Sequence, residues 1–314
     1  MIPFSIRRFL STLPTLFVVT LIVFAIVRIL PGNPARLLLG EEATPQLVAE
    51  LTHQMGLDRP LPVQYASWLL GVLQGDFGRS IKDNMSVGRL ILEKLPTTLE
   101  LAALATLVSV LIALPAGIVT AAKRGGFTDG LITVLALSGV SLPNFFLGIL
   151  LIYLFSIQLN WIPPSGYMTP LENPLENLRL MLLPAITLGL GTAGALTRFL
   201  RGSMLEVLGQ DYVRTARAKG VMGRTVLYRH ALRNALIPVV TIFGLQLGGL
   251  LGGAVITEQI FSIPGFGRLI VDAVFTRDFP VVQGIVLVSA MAIFLVSFLV
   301  DLIYAAVDPR IRYR

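Results

Sequence analysis

The run TLELAALATLVSVLIALPAGIVTAA, residues 98–122, decides the fold class of this chain. It carries one charged side chain, near its start, and is long enough to cross a hydrocarbon core of about 30 Å as a helix, which takes about 20 residues. Lipid offers the backbone no hydrogen-bond partner, and the run lacks the two-residue alternation of a barrel strand. It therefore predicts a transmembrane helix.

The composition of the whole chain favours a membrane protein. Of its 314 residues, 54% are hydrophobic and 14% are charged, and the mean hydropathy is +0.79. Soluble chains carry about 25% charged residues, so this balance argues against a soluble enzyme, a disordered chain and a coiled coil. The chain has no cysteine, which excludes disulfides, thiolate zinc sites, iron–sulfur clusters and a cysteine nucleophile.

Further apolar runs extend the prediction to an all-α integral membrane protein with six spans. The first run is interpreted as a retained helix, because it exceeds the 7–15 apolar residues of a signal peptide and no small-residue cleavage site follows. The predicted spans are residues 9–30, 98–122, 130–157, 180–200, 236–257 and 281–307.

Lysine and arginine placement predicts cytoplasmic N- and C-termini. In this orientation, 15 of the 25 basic residues but only five of the 18 acidic residues fall on the cytoplasmic side. The predicted domains are a first helix with a long external segment (1–97), a transmembrane core (98–307) with a cytoplasmic loop (202–235), and a cytoplasmic tail (308–314).

The loops between the spans carry their own signals. The external segment predicts one short helix that begins after Thr44 and closes at Gly56, and a second helix over residues 61–74. Residues 158–179 hold three prolines and predict a shaped external loop. Residues 258–280, rich in proline and glycine near their start, also predict an external loop.

Catalytic patterns are almost absent, so the chain is predicted not to be an enzyme. His53 and His230 lie on opposite sides of the predicted membrane, and the sequence has no H-E-x-x-H, G-x-S-x-G or P-loop motif. Residues 189–194, GLGTAG, satisfy G-x-G-x-x-G but lie inside an apolar run instead of following a strand. This placement favours close helix packing over dinucleotide binding.

Polar and small residues inside the spans are candidates for lining a transport pathway. Pro143 is predicted to kink the third span and free backbone carbonyls. Glycines at four-residue intervals over 244–252 indicate either packing within the chain or a face toward a partner subunit or pathway. Asp301, near a cytoplasmic span end, is interpreted as a pairing or snorkelling residue. The pathway candidates are Ser138, Ser141, Asn144, Gln246, Gly248 and Gly252.

The most informative segment is DYVRTARAKG, residues 211–220. It predicts a helix that ends at Gly220 in the left-handed conformation, with a second helix from about Arg224. Such a pair suits docking to a cytoplasmic partner. An ordinary positive-inside loop touching anionic lipid stays open as an alternative, and nucleic-acid binding is discounted because the membrane rule already explains the charge. The docking candidates are Asp211, Tyr212, Arg214, Thr215, Ala216, Arg217, Ala218, Lys219, Gly220, Val221, Arg224, Arg229 and His230.

This segment resembles the EAA loop of bacterial ABC importer permeases, E-A-A-x3-G-x9-I-x-L-P. Residues 214–216 (RTA) stand at E-A-A, Gly220 matches the glycine, and residues 230–233 (HALR) stand at I-x-L-P. With these departures, the segment is similar to permeases of the dipeptide/oligopeptide/nickel branch, in their first-permease type. Residues 161–163 and 311–313 are similar to glutathione-type members. Other matching stretches are LPGNP (30–34), MGLDRPL (55–61), GDFGRS (75–80), LPTTLEL (95–101), PGFGR (264–268) and DPRIR (308–312).

The resemblance implies a type I ABC importer permease fold in the bacterial cytoplasmic (inner) membrane. It implies a second homologous permease, two ATPases that bind ATP and Mg, and an external, periplasmic solute-binding protein, with no cofactor in this chain. The loop around Gly220 would be the coupling helix, and the solute a short peptide, with glutathione, nickel complexes and other peptide-like solutes as alternatives. An ion-coupled secondary transporter is a different class, disfavoured because clear mid-membrane acids and internal repeats are lacking.

Overall fold

The computed structural model describes residues 2–29, 34–39, 43–54 and 56–307. Most of these residues are helical and none of them lies in a named strand, which confirms the predicted all-α fold class. Residues 30–33 of the motif at 30–34, the tail with its motif at 308–312, and the Asp301 side chain lie outside the described residues. The helices are α1 (Ile2–Ile29), α2 (Pro34–Leu39), α3 (Pro45–Gln54), α4 (Leu61–Leu73), α5 (Val87–Ala122), α6 (Phe127–Ser141), α7 (Asn144–Leu151), α8 (Pro174–Leu208), α9 (Asp211–Ala218), α10 (Gly223–Thr225), α11 (Arg233–Ile260), α12 (Phe266–Phe275) and α13 (Phe279–Val307).

Among these residues, four helices are long and apolar enough to span a membrane: Val87–Ala122, Pro174–Leu208, Gly223–Leu250 and Phe279–Val300. The pair α6 and α7 makes a fifth if it counts as one span. The predicted first span falls on α1, whose described apolar part, Leu10–Ile26, is shorter. The count of six spans and the orientation therefore stay predictions.

The third predicted span is broken at the position where a kink was predicted, Pro143. Helix α6 ends at Ser141, Leu142 and Pro143 are extended, and the following helix departs at 108° to α6. Proline has no N–H to continue the helix and disfavours helical geometry in the residue before it. The prediction of one helix over 130–157 is thus corrected to two, the second of which ends in a π-helical segment, Ile152–Gln158.

The prediction of a loop over residues 258–280, based on their proline and glycine content, was wrong for most of this range. Helix α11 continues to Ile260, and α12 occupies Phe266–Phe275. Pro264 and Gly265 precede α12, where they do not interrupt its hydrogen bonds. Residues 158–179 are likewise a loop only up to Asn173, whose side chain caps α8 by accepting a bond from the Glu176 N–H at 3.1 Å.

The two short helices predicted between residues 44 and 75 are confirmed, and their external location stays a prediction. Helix α3 begins after Thr44, whose hydroxyl accepts a bond from the Leu47 N–H at 3.4 Å. It is followed by Gly56 with a positive φ of 64°. Helix α4 ends just before Gly75, which also has a positive φ, of 84°. Local capping signals were enough to place both elements.

The chain divides into two compact units. Unit 1 comprises Thr97–Gly267 and residues 295–307, and unit 2 comprises the described residues of 2–96 and Arg268–Phe294. One apolar cluster of unit 1 surrounds Phe261, and a second surrounds Leu200. In unit 2, helix α1 packs on α4 through aromatic rings, with Phe24 and Tyr65 centroids 5.3 Å apart. The predicted domain boundaries stay a prediction.

Glycines in GLGTAG serve helix packing, as predicted. A Cβ on Gly189 would lie 2.6 Å from the Ala105 carbonyl oxygen of α5. A Cβ on Gly194 would collide with the Ala136 carbonyl oxygen of α6. Helix α8 therefore approaches two neighbouring backbones more closely than any side chain would permit.

Candidate functional site

The turn after α9 is a Schellman motif built on Gly220. Its φ of 79° is the left-handed conformation that glycine adopts without strain. The Gly220 N–H donates to the Arg217 carbonyl at 2.9 Å, and the Val221 N–H donates to the Ala216 carbonyl at 3.2 Å. These two bonds satisfy carbonyls at the helix end. The predicted helix end at Gly220 is confirmed, and the turn separates α9 sharply from α10.

Helix α9 is anchored to the membrane helices by one apolar side chain and one tyrosine. Val213 is fully buried. The Tyr212 hydroxyl accepts a bond from the Asn234 side-chain amide at 2.8 Å and lies 3.4 Å from the His230 carbonyl oxygen. The same Asn234 amide donates to that carbonyl at 3.1 Å. The base of the loop is therefore fixed to the start of α11.

A π-helical segment, Val226–Leu232, joins α10 to α11. Its Val226 and Ala231 side chains are buried, so the widened turn is part of the packed base of the loop. Ser203 of α8 donates a bond to the Ala235 carbonyl at 2.9 Å and ties the next turn to α8. Such π segments are rare inside helices and occur often at functional sites.

The remaining docking candidates form an exposed basic surface. Arg214 and Asp211 approach within 3.6 Å, but both are largely exposed and contribute little to stability. Beside them lies a cavity of about 510 Å³, lined by Arg217, Arg224 and Tyr228 together with apolar residues of α5 and α8. Exposed candidates are Asp211, Tyr212, Arg214, Thr215, Arg217, Ala218, Lys219, Gly220, Arg224 and Arg229, whereas Ala216, Val221 and His230 are partly exposed.

The pathway candidates differ in their exposure and in the groups they contact. Asn144, at the break between α6 and α7, lies between α8 and α11, since a Cβ on Gly253 would be 3.5 Å from its amide nitrogen and one on Gly191 3.7 Å from its amide oxygen. The exposed Ser138 hydroxyl donates to the Val134 carbonyl of its own helix at 3.0 Å. Ser141 is exposed, and Gln246 and Gly248 are partly exposed.

The glycines of α11 differ in their surroundings, and packing within the chain is confirmed for Gly244. A Cβ on Gly244 would collide with the Val300 side chain of α13, so this position serves packing within the chain. Gly249 and Gly252 are exposed, and a Cβ on either would meet no atom of the described chain within 4 Å. These two glycines thus present an open face toward the C-terminal half of the helix.

Sequence reasoning missed a buried polar cluster in unit 1. Glu258 is fully buried near the end of α11 and accepts a hydrogen bond from the Thr98 hydroxyl. The same hydroxyl accepts a bond from the Phe266 N–H at 2.8 Å, which links α5 to the start of α12. Glu258 lies one residue beyond the predicted fifth span, so it was taken for a loop residue. Thr98 and Phe266 both fall in motifs that carry the family resemblance.

Tyr167, in the loop between the π-helical segment Ile152–Gln158 and α8, forms a further polar contact with α5. The Tyr167 hydroxyl donates to the Glu100 carboxylate at 2.9 Å. Burial, more than the neighbouring carboxylate, raises the pKa of this phenol above its ordinary value. The phenol therefore stays a donor at neutral pH and holds the loop of residues 159–173 to α5.

An ion pair orders the turn between α5 and α6. Arg201 of α8 donates two bonds to the Asp129 carboxylate, both at 2.8 Å. The Gly125 N–H donates to the same carboxylate at 3.0 Å. This two-point geometry is specific to the guanidinium group. No sequence motif pointed to the pair, because its members are far apart in the chain.

Comparison with known proteins gives matches along the whole chain. Residues 113–313 match the family described as binding-protein-dependent transport system inner membrane component, and residues 1–102 match its N-terminal family. The chain is 43% identical over 314 residues, all of both chains, to the glutathione transport system permease protein GsiC of Salmonella typhimurium. It is 42% identical, with the same coverage, to GsiC of Escherichia coli K12.

Two solved structures share the fold. One is an inward-facing conformation of the MetNI methionine ABC transporter, with a TM-score of 0.59 and 18% identity over 70% of this chain and 96% of that one. The other is an amino acid ABC transporter with histidines, with a TM-score of 0.55 and 17% identity over 69% and 94%. At such identities the likeness shows the fold alone.

Proposed function

Because the chain belongs to the family of binding-protein-dependent transport system inner membrane components, we propose that it imports short peptides, glutathione among them. It is a multi-pass permease subunit of an ABC importer in the inner membrane. The observation that carries the solute proposal is its similarity, over the full length, to permeases named for glutathione transport. The wider class of di- and oligopeptides follows from the family resemblance.

Coupling to ATP is assigned to α9 and the Gly220 turn. The helix has an exposed basic surface for contact with a partner and a buried side chain, Val213, through which its movement would reach the membrane helices. Two ATPase subunits would bind ATP and Mg and would move this helix when they close. For that movement to shift the permease between its two states, the ATPase must contact the loop differently in each state.

The solute pathway is assigned to the region around Asn144 and the open face of α11. The exposed glycines Gly249 and Gly252 leave room for either a solute or a second permease. Asn144, which lies next to Gly253 of α11, adds an amide that can hydrogen-bond a peptide group. A second, homologous permease would complete the pathway, and a periplasmic binding protein would deliver the solute.

Reconstitution tests the solute. The permease pair, its ATPases and the binding protein are placed in proteoliposomes with ATP inside and labelled glutathione or dialanine outside. ATP-dependent uptake of either peptide, competed by the other, supports the proposal. Uptake of nickel complexes with no uptake of either peptide would contradict it, and uptake driven by an ion gradient without ATP would contradict the ATP-driven mechanism.

The docking role is tested by reversing charge at Arg214 and Arg217. Both side chains are exposed, so their replacement by glutamate should leave the fold intact while weakening retention of the ATPase during purification. Arg89→Glu is the matched control, because Arg89 is also exposed and lies on unit 2. Full retention in the double variant would assign docking to the apolar residues instead.

A further inference from the structure

Unit 2 contains a cavity that the transport mechanism described above does not use. Its volume is about 550 Å³, within the range of about 300–1,000 Å³ typical of small-molecule sites. Its walls come from α1, the turn between α3 and α4, α4 itself, the loop of residues 77–84, and the start of α13. All of these segments belong to one compact unit.

The charged side chains known to line the cavity are all positive. Three arginines, Arg28, Arg59 and Arg79, line the cavity, and no acidic side chain among the described residues does so. The other polar groups are neutral, and Trp68 and Phe77 provide aromatic surface. Guanidinium groups bind carboxylates with paired hydrogen bonds, whereas an aromatic surface accommodates the apolar part of a ligand. The lining thus suits a small organic anion.

The positive charge of Arg28 is held in place by neutral partners. Its Nε and Nη2 donate to the Gln64 amide oxygen at 3.3 and 3.1 Å, and its guanidinium carbon lies 3.5 Å from the Phe24 ring centroid. The Gln64 nitrogen in turn donates to the Leu57 and Arg59 carbonyls at 2.9 and 2.8 Å. Gln64 therefore positions both Arg28 and the turn that carries Arg59, without neutralising either charge.

The opposite wall is fixed by Asp278. This carboxylate, which is 3% exposed, accepts bonds from the Ser80 hydroxyl and from the Ile81 and Lys82 N–H groups, the latter two at 3.0 and 3.3 Å. Its acceptor capacity is used within the loop, so it holds the Arg79 loop in shape and does not line the cavity. A binding site needs such prearranged walls.

We propose that this cavity binds a small solute through its carboxylate, and that short peptides with a free C-terminal carboxylate are the class it takes. The proposal rests on the proposed function, because it places an additional binding site for the same solutes on a segment predicted to be external. An acidic side chain of the binding protein is the competing occupant. The aromatic wall formed by Trp68 and Phe77 favours the small solute, because it offers a surface for the apolar part of a short peptide.

Trp68 provides a direct readout. The chain has two tryptophans, so Trp161→Phe leaves Trp68 as the sole emitter, and Trp161 lies in unit 1. The full-length Trp161→Phe chain in lipid nanodiscs is titrated separately with alanyl-alanine, with its C-terminal amide, with inorganic phosphate and with the binding protein. We expect a saturable change in Trp68 emission with alanyl-alanine and a response at least about tenfold weaker with the amide and with phosphate.

Arg79→Gln should weaken binding of alanyl-alanine about tenfold or more, and Arg89→Gln, an exposed arginine outside the cavity, should leave it unchanged. An equal response to alanyl-alanine and its amide, or equal affinity in both arginine variants, would overturn the proposal. So would a response to phosphate as strong as to the dipeptide, or a response to the binding protein alone. If the cavity does not bind alanyl-alanine but proteoliposomes still take up peptides, only the cavity proposal is refuted and the proposed function stands. If the cavity binds alanyl-alanine but no uptake occurs, only the proposed function is refuted.

Discussion

Replacing Gly220 by valine tests the geometry of the coupling loop. A Cβ at this position would meet no atom within 4 Å, so the substitution creates no clash. The whole cost is conformational: an L-residue in the left-handed conformation is destabilised by about 1–2 kcal/mol. This lowers the ratio of loops with the Schellman turn to loops without it roughly 5- to 30-fold. Affinity for the ATPase subunits should fall by up to the same factor.

Gly223 is the matched control. It lies three residues further on, a Cβ there would also meet no atom within 4 Å, and its φ is not in the left-handed region. Gly223→Val should therefore bind ATPase like the wild type, and Gly220→Asn should recover part of the loss because asparagine tolerates the left-handed conformation. The assay is titration of ATPase subunits onto the permease pair in nanodiscs, with ATP hydrolysis and solute uptake measured in parallel. Equal affinity in Gly220→Val and wild type, or an equal loss in Gly223→Val, would refute the reasoning.

Two further predictions concern buried positions. Thr98→Val removes the hydroxyl that donates to the buried Glu258 carboxylate and accepts from the Phe266 N–H. It should lower the free energy of unfolding by about 1–3 kcal/mol, measured as a lower melting temperature in detergent. An unchanged melting temperature would count against the polar cluster. Gly194→Ala forces a methyl group against a carbonyl of α6 and should lower the melting temperature. In the control Gly202→Ala, the added methyl group meets no atom within 4 Å, so the melting temperature should not fall. Equal melting temperatures for the two variants would argue against the close approach of α8 and α6.

Features that depend on neighbours in the chain could be predicted well. Long apolar runs predicted membrane helices, because an unpaired backbone in lipid has no alternative to the helix. The left-handed end of α9 at Gly220 and the cap at Thr44 follow from the conformational preferences of single residues. Packing by the GLGTAG glycines was correctly favoured because the motif lay in an apolar run and not after a strand.

The size of a helix bend, a helix within a region rich in proline and glycine, and the buried face of an apolar span were harder to predict. Proline at position 143 indicated a disturbance but not its size of 108°, because the bend is set by what packs on both sides of the break. The region around α12 was predicted to be a loop because proline and glycine are concentrated at its start. Spans that are apolar on every face also conceal which side meets lipid and which is buried, so the different roles of Gly244 and Gly252 were not separable.

The sequence by itself determined that this chain is a helical membrane protein of the ABC importer permease family, with a sharp turn at Gly220. These properties reside in local runs and short motifs. Only the tertiary structure decided that Glu258 meets Thr98, that Arg201 meets Asp129, and that arginines from three segments line one cavity. Such pairings join residues far apart in the chain, and they are fixed by helix packing, which no local preference encodes.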